Sequence, residues 1–225
     1  MVKKLSEADH AMVSAAIAQA ETRSNGEIVA VATPISDIYH DVALHWAVAA
    51  LLLVLAWAAW RPEWLLWWHD ALTGGWRPEP TLGELLLTLM LFATVKFVAV
   101  LLILRWMPLR LALTPRATKA RRVRRRAIVV FKAAAERRTV GRTGVLIYLS
   151  MAEHRAEIVA DDAITSVTTP DTWGEAMAAM LVEVRQGRIA EGMVAAIAEV
   201  GAVLAEHFPR SDADTNEIPD KLIEL

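Results

Sequence analysis

Three acidic residues are the side chains in this sequence best suited to chemistry. Glu27 begins the apolar segment EIVAVAT, and Asp161 and Asp162 follow the similar segment AEIVA. Carboxylate oxygens are the ligands that Ca²⁺ and Mg²⁺ prefer, and a bound cation can activate water to attack a phosphoester. A structural alternative is that Asp161 or Asp162 caps the short helix that follows and that Glu27 is a solvated strand start. Glu217 and Asp220 in the C-terminal tail could join the group.

Other familiar catalytic signatures are absent from the sequence. It has neither a phosphate-binding loop nor a dinucleotide fingerprint, and it lacks the motifs of zinc proteases, α/β-hydrolases, EF-hands and aspartyl-phosphate enzymes. It contains no Cys, which excludes thiolate nucleophiles, disulfides and Cys-ligated zinc. Its His residues are scattered without metal-ligand spacing. The sequence therefore shows no complete catalytic set.

Three apolar segments predict the strands that would position the acids. Glu27–Thr33 and Gly144–Ser150 are apolar on both faces, as in strands that are covered on both sides, and Ala156–Ala160 is of similar type. A right-handed crossover would make the first two strands parallel. The short turn at Met151–Arg155 would make the third strand antiparallel. The three acids would then share one sheet edge, the edge distal to the membrane segments described below.

Periodicity and capping residues predict the helices that cover this sheet. Ser6 with Asp9 and Thr172 with Glu175 both resemble capping boxes. The sequence therefore indicates a small α/β domain in which a sheet lies between helices, with the tail NEIPDKLIEL extended and packed on the domain. The predicted helices are Leu5–Thr22, Arg116–Arg138, Thr172 to about Arg185, and Ile189–His207.

Two long apolar segments separate the first strand from the rest of this domain. Val42–Trp60 and Leu82–Met107 are each long enough to cross a hydrocarbon core as a helix, and Trp residues cluster at their ends. Lys96 lies inside the second segment, and we expect it to face the partner helix or to snorkel toward an interface. The alternative is a buried hairpin of a soluble protein, but a chain this short could not cover two such helices. We predict a two-helix transmembrane hairpin.

Lys and Arg are distributed unevenly around the predicted spans. The loop Arg61–Thr81 holds only Arg61 and Arg77, whereas the sequence from Arg105 to Arg138 is rich in Lys and Arg and contains a single acid, Glu136. The positive-inside rule places the basic side in the cytoplasm. We therefore predict an integral protein of the bacterial cytoplasmic membrane with both termini and the α/β domain cytoplasmic.

The basic helix 116–138 has three interpretations. It could be a solvated face that enforces the topology, a contact for anionic lipid headgroups, or a nucleic-acid site. A juxtamembrane run of this kind attracts acidic headgroups by about 1 kcal/mol per nearby charge. Binding of nucleic acid would need aromatic side chains for base stacking, and the helix has only Phe131, on its apolar face. We therefore predict that the helix enforces the membrane topology and contacts anionic lipid headgroups, and that it binds no nucleic acid.

The segments outside the hairpin resemble the TPM domain family. The resemblance lies in GEIVAV, RTGVLIYLSMAEHRAEIVADDAI, TPDTWGEAM, RQGRIAEGMVAAIAEVGAVLAEHFP and the terminal NEIPDKLIEL. It points to a bacterial membrane subgroup in which a hairpin interrupts the domain, described as uncharacterised membrane proteins or candidate phosphatases. The resemblance implies a small sheet between helices, with divalent-metal binding or phosphatase activity in some relatives. The wider family has a glycine-rich turn with an acid after the third strand, where this chain has ADDAI.

Together these observations predict three segments and one function. Residues 1–41 form the N-terminal helix and first strand, residues 42–107 the transmembrane hairpin, and residues 108–225 the remainder of the TPM-like domain. The predicted function is that of a membrane-anchored, non-enzymatic interaction or accessory module for another membrane or envelope protein. The alternative is a divalent-metal-dependent phosphatase in which Glu27, Asp161 and Asp162 hold Ca²⁺ or Mg²⁺.

Overall fold

The computed structural model describes residues 5–75, 79–134, 143–211 and 217–225. The chain forms two compact units, an α/β unit of Met1–Asp37 with Arg116–Leu225 and a helical unit of Ile38–Pro115. The described elements in chain order are α1 (Glu7–Glu21), β1 (Glu27–Thr33), α2 (His40–Trp60), α3 (Pro62–Thr73), α4 (Leu82–Ile103), α5 (Met107–Ala112), α6 (Arg116–Ala134), β2 (Gly144–Ser150), β3 (Arg155–Ala160), α7 (Asp162–Thr165), a 3₁₀ turn (Pro170–Trp173), α8 (Gly174–Arg185), α9 (Ile189–His207) and β4 (Leu222–Glu224).

The described strands form one four-stranded sheet in the order β3-β2-β1-β4. β1 runs parallel to β2 in a register that joins Glu27 to Gly144 and Thr33 to Ser150, and β2 runs antiparallel to β3. The predicted pairing of the first strand with segments more than a hundred residues downstream is therefore confirmed. The tail was predicted only to be extended and packed on the domain. Its residues Leu222–Glu224 in fact form a strand that pairs in parallel with the other side of β1.

Helices cover both faces of this sheet. One face packs on a core with side chains from α1, α8 and α9, among them Ile17, Met180 and Ile197. The opposite face packs on the apolar stripe of α6, formed by Val123, Ala127 and Phe131. Every residue of β1 and of β2 is buried, since side chains on both faces of these strands lie in a core. The predicted fold class, a small sheet between helices, is confirmed.

One of the two predicted capping boxes is present and the other is wrong. In α1, the Ser6 hydroxyl accepts a bond from the Asp9 N–H at 3.2 Å, and the Asp9 carboxylate accepts one from the Ser6 N–H at 2.8 Å. Thr172 instead pairs with Thr169, whose N–H donates to the Thr172 hydroxyl at 3.0 Å. The reason is the 3₁₀ turn, which begins at a proline, so that α8 starts only at Gly174. The predicted helix 116–138 is described to Ala134, and its residues 135–138, like Asn216 of the tail, lie outside the described residues.

The helical unit contains the two long apolar helices, α2 and α4, which pack against each other. Both are long and apolar enough to cross a membrane. The second predicted span extended to Met107, but α4 ends at Ile103, and α5 begins a new helix with a proline in its first turn. A proline cannot continue the preceding helix because it lacks an N–H and its ring clashes with the turn before it. Lys96 is exposed, so it does not pack between the helices.

The segment between the two spans, which the sequence suggested was a loop, contains the amphipathic helix α3. Trp64 and Trp68 of α3 contact Phe92 of α4, with ring centroids 5.5 and 4.8 Å apart. The buried His69 forms a 3.0 Å hydrogen bond between its Nδ1 and the Thr88 hydroxyl. These contacts dock α3 on α4, so Trp64 and Trp68 of the Trp-rich segment pack against another helix of the chain.

Arg110 of α5 joins the two ends of the helical unit. It is 5% exposed, and its guanidinium donates to the carbonyl oxygens of Leu104 at 2.7 Å and Ile38 at 2.6 Å. Ile38 precedes α2, and Leu104 follows α4. This arginine, counted above as part of the basic flank, therefore has a structural role, since it holds together the start and the end of the hairpin.

Candidate functional site

The predicted acidic residues lie at one end of the strands, where β1 and β2 begin and β3 ends. The Glu27 N–H donates to the carbonyl of Thr143, and the Asp161 N–H donates to the carbonyl of Gly144, the residue paired with Glu27. Asp162 is the first residue of α7. The strand pairing thus places these acids at one edge, as the sequence suggested.

Glu27 is only 5% exposed, so the expectation of a solvated strand start is wrong. Its two carboxylate oxygens accept the backbone N–H groups of Glu217 and Ile218, each at 3.2 Å. Burial raises the pKa of the Glu27 carboxyl, and the two backbone hydrogen bonds oppose that shift. Glu27 therefore holds the C-terminal tail against the start of β1.

Asp161 is also buried, and its carboxylate accepts the N–H of Gly144 at 3.2 Å. It occupies the N-cap position of α7, but its side chain forms no capping hydrogen bond, and Asp162 is exposed. Within the described ranges, no three His, Asp or Glu side chains converge so that they could share one ion. Glu27 and Asp161 instead bind main-chain groups, and the divalent-cation site stays a prediction.

Sequence reasoning missed a half-buried acid, Glu21, close to Glu27. The Ile28 N–H donates to one Glu21 carboxyl oxygen at 2.8 Å, while the other oxygen is sealed from solvent and accepts no bond from the described residues. Burial, together with the nearby carboxylates of Glu27 and Asp220, raises the pKa of Glu21 to about 9. The tail thus brings Asp220 close to Glu21 and Glu27. The sequence had suggested that Asp220 could join Glu27, but it offered no signal for Glu21.

A second polar group lies at the other ends of β1 and β2. Glu153 is buried and accepts the Ser36 N–H at 2.9 Å and the Ser150 hydroxyl. The Ser36 hydroxyl lies 3.0 Å from the Tyr148 hydroxyl, whose pKa is raised by burial. The hydroxyl of Ser150 is fully buried, so it is not accessible to a substrate. This group fixes the loop that leaves β1.

Comparison with known proteins bears on the family and on the fold. Residues 110–203 match the family model of the TPM domain. The predicted TPM resemblance is confirmed. The NMR structure of the BA42 protein from the psychrophilic bacterium Bizionia argentinensis superposes with a TM-score of 0.56 and 18% identity, covering 99% of this chain and 97% of that one. At this identity the likeness shows the fold alone. Comparison with curated proteins gave no match.

The TPM match includes α6, the helix that carries the basic surface. Two of its arginines form ion pairs within the α/β unit, Arg122 with Asp37 at 3.0 Å and Arg124 with Glu157 at 3.3 Å. Opposite the buried stripe, the helix exposes a cationic face. The exposed cations of α6 are Arg116, Arg121, Arg124, Arg125, Arg126 and Lys132. This face is the part of the TPM match with the strongest charge, and an anion is the ligand that it suits.

Proposed function

We propose that this chain is a membrane-anchored TPM-like domain that acts as a non-enzymatic interaction or accessory module for another membrane or envelope protein. The observation that carries the proposal is the exposure of the two apolar helices. In the 18-residue apolar stretch of each helix, only 22% is buried in α2 and 11% in α4. The core helix of a soluble protein would be mostly buried, and these helices are not. A lipid environment would cover them.

The side chains on these helices support the same conclusion. They include large aliphatic and aromatic groups that would be costly to expose to water. α2 and α4 pack on each other, and their buried residues include the small Ala47 and Ala93, the residue type that suits close helix contact in lipid. The large exposed apolar residues include Leu52, Leu53 and Trp57 on α2 and Leu87, Met90, Leu91 and Leu102 on α4.

The acids of the α/β unit support an interaction role more than catalysis. Glu27, Asp161 and Glu153 each accept at least one backbone N–H group. These bonds satisfy donors at strand and loop ends that have no partner in the sheet ladder. A metal-dependent phosphatase that uses Glu27, Asp161 and Asp162 with Ca²⁺ or Mg²⁺ would have to give up some of these bonds. Such a phosphatase remains the alternative proposal.

The cationic face of α6 supports contact with anionic lipid headgroups. α6 follows the second apolar helix closely in the chain, and each cation near a charged bilayer contributes about 1 kcal/mol. We expect hydrogen exchange of α6 to slow when nanodiscs of neutral lipid are replaced by nanodiscs with anionic lipid. Replacing Arg125 and Arg126 by Gln should reduce that difference. An equal exchange rate in both lipids would contradict the lipid contact.

Orientation can be tested directly because the chain contains no Cys. We propose that the α/β unit is cytoplasmic, as the distribution of Lys and Arg indicates. Asp171→Cys, at an exposed site of the α/β unit, should react with a membrane-impermeant maleimide only after the membrane is opened. Asp70→Cys, exposed on α3, should react in intact cells. The reverse pattern would refute the orientation, and recovery of the chain in the soluble fraction would refute the anchor.

The interaction role needs its own experiment. A photo-crosslinking amino acid placed at exposed positions across the α/β unit should capture one reproducible companion in native membranes. The same positions in a chain denatured before irradiation are the control. Failure to capture a companion from any face of the unit would overturn the proposed function.

A further inference from the structure

β3 forms one edge of the described sheet. Among the described residues, β3 pairs with β2 alone. An open edge strand presents unpaired N–H and C=O groups that another strand can pair with. The opposite edge strand, β4, has only three residues, so the six-residue β3 is the longer template.

The register identifies the main-chain groups that face outward. The Asp161 N–H donates to the carbonyl of its partner, Gly144, which makes this a hydrogen-bonded pair. Hydrogen-bonded and non-bonded pairs alternate along an antiparallel ladder, so every second residue of β3 directs its N–H and C=O away from β2. The outward-facing residues are Ala156, Ile158 and Ala160.

Of these residues, Ile158 and Ala160 line a groove of about 510 Å³ in the α/β unit. The groove lies along β3, between α6 on one face of the sheet and the segment from α7 to α8 on the other. The residues around it include Arg124, Ile158, Ala160, Thr168, Trp173 and Met177.

The two walls of the groove differ in chemistry. Ile158 and Ala160 pack against the core that contains Trp173, and Thr165, Thr168 and Thr169 line the groove as well, so the wall on that face combines apolar side chains with threonine hydroxyls. On the other face, Arg124 lies 3.3 Å from Glu157 and has a side chain that is 64% exposed. Arg121, one helical turn earlier, is exposed as well. A strand added to β3 would direct alternate side chains toward the two walls.

We propose that this groove binds an extended segment of a protein partner by β-strand addition to β3, and that apolar and acidic residues alternate in that segment. The main-chain groups of Ile158 and Ala160 would supply the pairing, and the walls would supply selectivity. The apolar side chains of the segment would contact Trp173, and its carboxylates would contact Arg124. This inference rests on the proposed interaction role and names the surface that carries it.

The charge of α6 argues against a second copy of this chain as the occupant. Two β3 strands paired antiparallel would be related by a twofold axis perpendicular to the sheet. That axis would place both copies of α6 on the same face, so Arg121 and Arg124 of one copy would lie near those of the other. Like charges at such a contact oppose association. An acidic segment complements the same surface.

Two peptide probes test the proposal with the full chain in nanodiscs. One is a ten-residue peptide of alternating Val and Glu, and the other alternates Val and Lys. We expect the Val/Glu probe to bind and to slow hydrogen exchange in β3, with the Val/Lys probe at least about tenfold weaker. Methylation of alternate backbone nitrogens of the Val/Glu probe should abolish binding. Failure of both probes to bind, or exchange in β3 that is unchanged by the bound probe, would overturn the proposal.

Two substitutions separate strand addition from general charge attraction. Ile158→Pro removes an outward N–H without removing a bond to β2, and it should weaken the Val/Glu probe at least about tenfold. Arg124→Glu should reverse the preference between the probes, whereas Lys132→Glu, the same kind of change on the same helix outside the groove, should leave it unchanged. Hydrogen exchange in β1 and β2 checks that each variant is folded. An unchanged preference in Arg124→Glu would overturn the assignment of the wall.

The companion in native membranes distinguishes failure of this inference from failure of the proposed function. A companion that still crosslinks to Ile158→Pro and Arg124→Glu as it does to the unmodified chain would refute the groove and leave the interaction role intact. Absence of any companion would refute the interaction role itself. Loss of the companion in both variants, with its retention in Lys132→Glu, is the result that we expect.

Discussion

Replacing Glu21 by Gln should flatten the pH dependence of stability in the α/β unit and stabilise it at alkaline pH. One carboxyl oxygen of Glu21 accepts the Ile28 N–H, and the other is buried near Asp220. Two ionised carboxylates in contact repel each other, whereas a protonated Glu21 can donate a hydrogen bond to Asp220. The raised pKa of about 9 means that the folded chain keeps this proton at neutral pH.

Whether stability rises or falls with pH depends on where Glu21 releases its proton in the folded and in the unfolded chain. The unfolded chain releases the Glu21 proton near pH 4.5, and the folded chain releases it near pH 9, so the unfolded state binds fewer protons in between. The stabilisation is therefore complete below about pH 4.5 and is lost as the pH rises toward 9. From pH 4.5 to 7 the linkage relation gives an upper bound of about 3 kcal/mol. Because Glu21 keeps some solvent contact, we expect about 1–2 kcal/mol.

Glu21→Gln keeps an acceptor for Ile28 and supplies an NH₂ donor for Asp220 at every pH. At pH 5 the variant should be about as stable as the unmodified chain, and at pH 8.5 it should be more stable by at least about 1 kcal/mol. A smaller slope should remain because burial also raises the pKa of Glu27, with the same sign. The tail residues 217–225 should show the clearest change, since they carry Asp220 next to the buried carboxyl.

Pulse proteolysis in urea, on the full chain in nanodiscs, measures the free energy of unfolding of the α/β unit at each pH. Hydrogen exchange of residues 217–225, compared between variants at the same pH, measures the local effect. Glu7→Gln, at the exposed start of the same helix, is the matched control and should leave the slope unchanged. Equal slopes for Glu21→Gln and the unmodified chain, or a variant that is less stable at pH 8.5, would refute the buried-proton explanation.

Two further predictions concern helix packing and the predicted metal ligands. Gly192→Ala should cost about 1–3 kcal/mol, because its Cβ would lie 2.8 Å from a carbonyl oxygen of α8, whereas Gly174→Ala, in open space, should be neutral or slightly stabilising. Urea unfolding checks this pair, and equal effects would contradict the close contact. Asp161→Ala should cost about 1–3 kcal/mol through the loss of a buried acceptor, and the exposed Asp162→Ala less than about 0.5 kcal/mol. Calorimetric binding of Ca²⁺ or Mg²⁺ that is lost in both variants would instead support the predicted metal site, and loss of phosphoester hydrolysis in the same variants would support the phosphatase.

The long-range features that the sequence predicted correctly share a simple physical basis. β1 and β2 are apolar on both faces, and a strand of this kind must be covered on both sides and paired along its edges. Only a few segments in the chain could meet that need, so the parallel pairing of Glu27–Thr33 with Gly144–Ser150 followed from the apolar pattern and the right-handed crossover rule. The buried stripe of α6 followed from helical periodicity in the same way.

The features that were missed depend on contacts that local patterns do not encode. β4 has three residues, too few for a strand signal, and its parallel pairing with β1 requires the final position of the tail. The burial of Glu27 depends on the same tail, because the covering groups are the backbone of Glu217 and Ile218. The sequence could therefore predict at which end of the strands the acids lie, but it could not predict what surrounds them.

The buried and half-buried acids of the α/β unit share one structural role, which bears on the choice between interaction and catalysis. A backbone N–H at the start of a strand or after its end lies outside the sheet ladder and needs another acceptor. Glu21 accepts the N–H of Ile28, Asp161 accepts the N–H of Gly144, and Glu153 accepts the N–H of Ser36. An acceptor of this kind needs an oxygen atom and not a charge, so an amide oxygen can replace it for a single N–H, whereas loss of the negative charge weakens the binding of a divalent cation. The same side chains can therefore be assigned to the fold or to a metal by exchanging carboxylate for amide, with no change of shape.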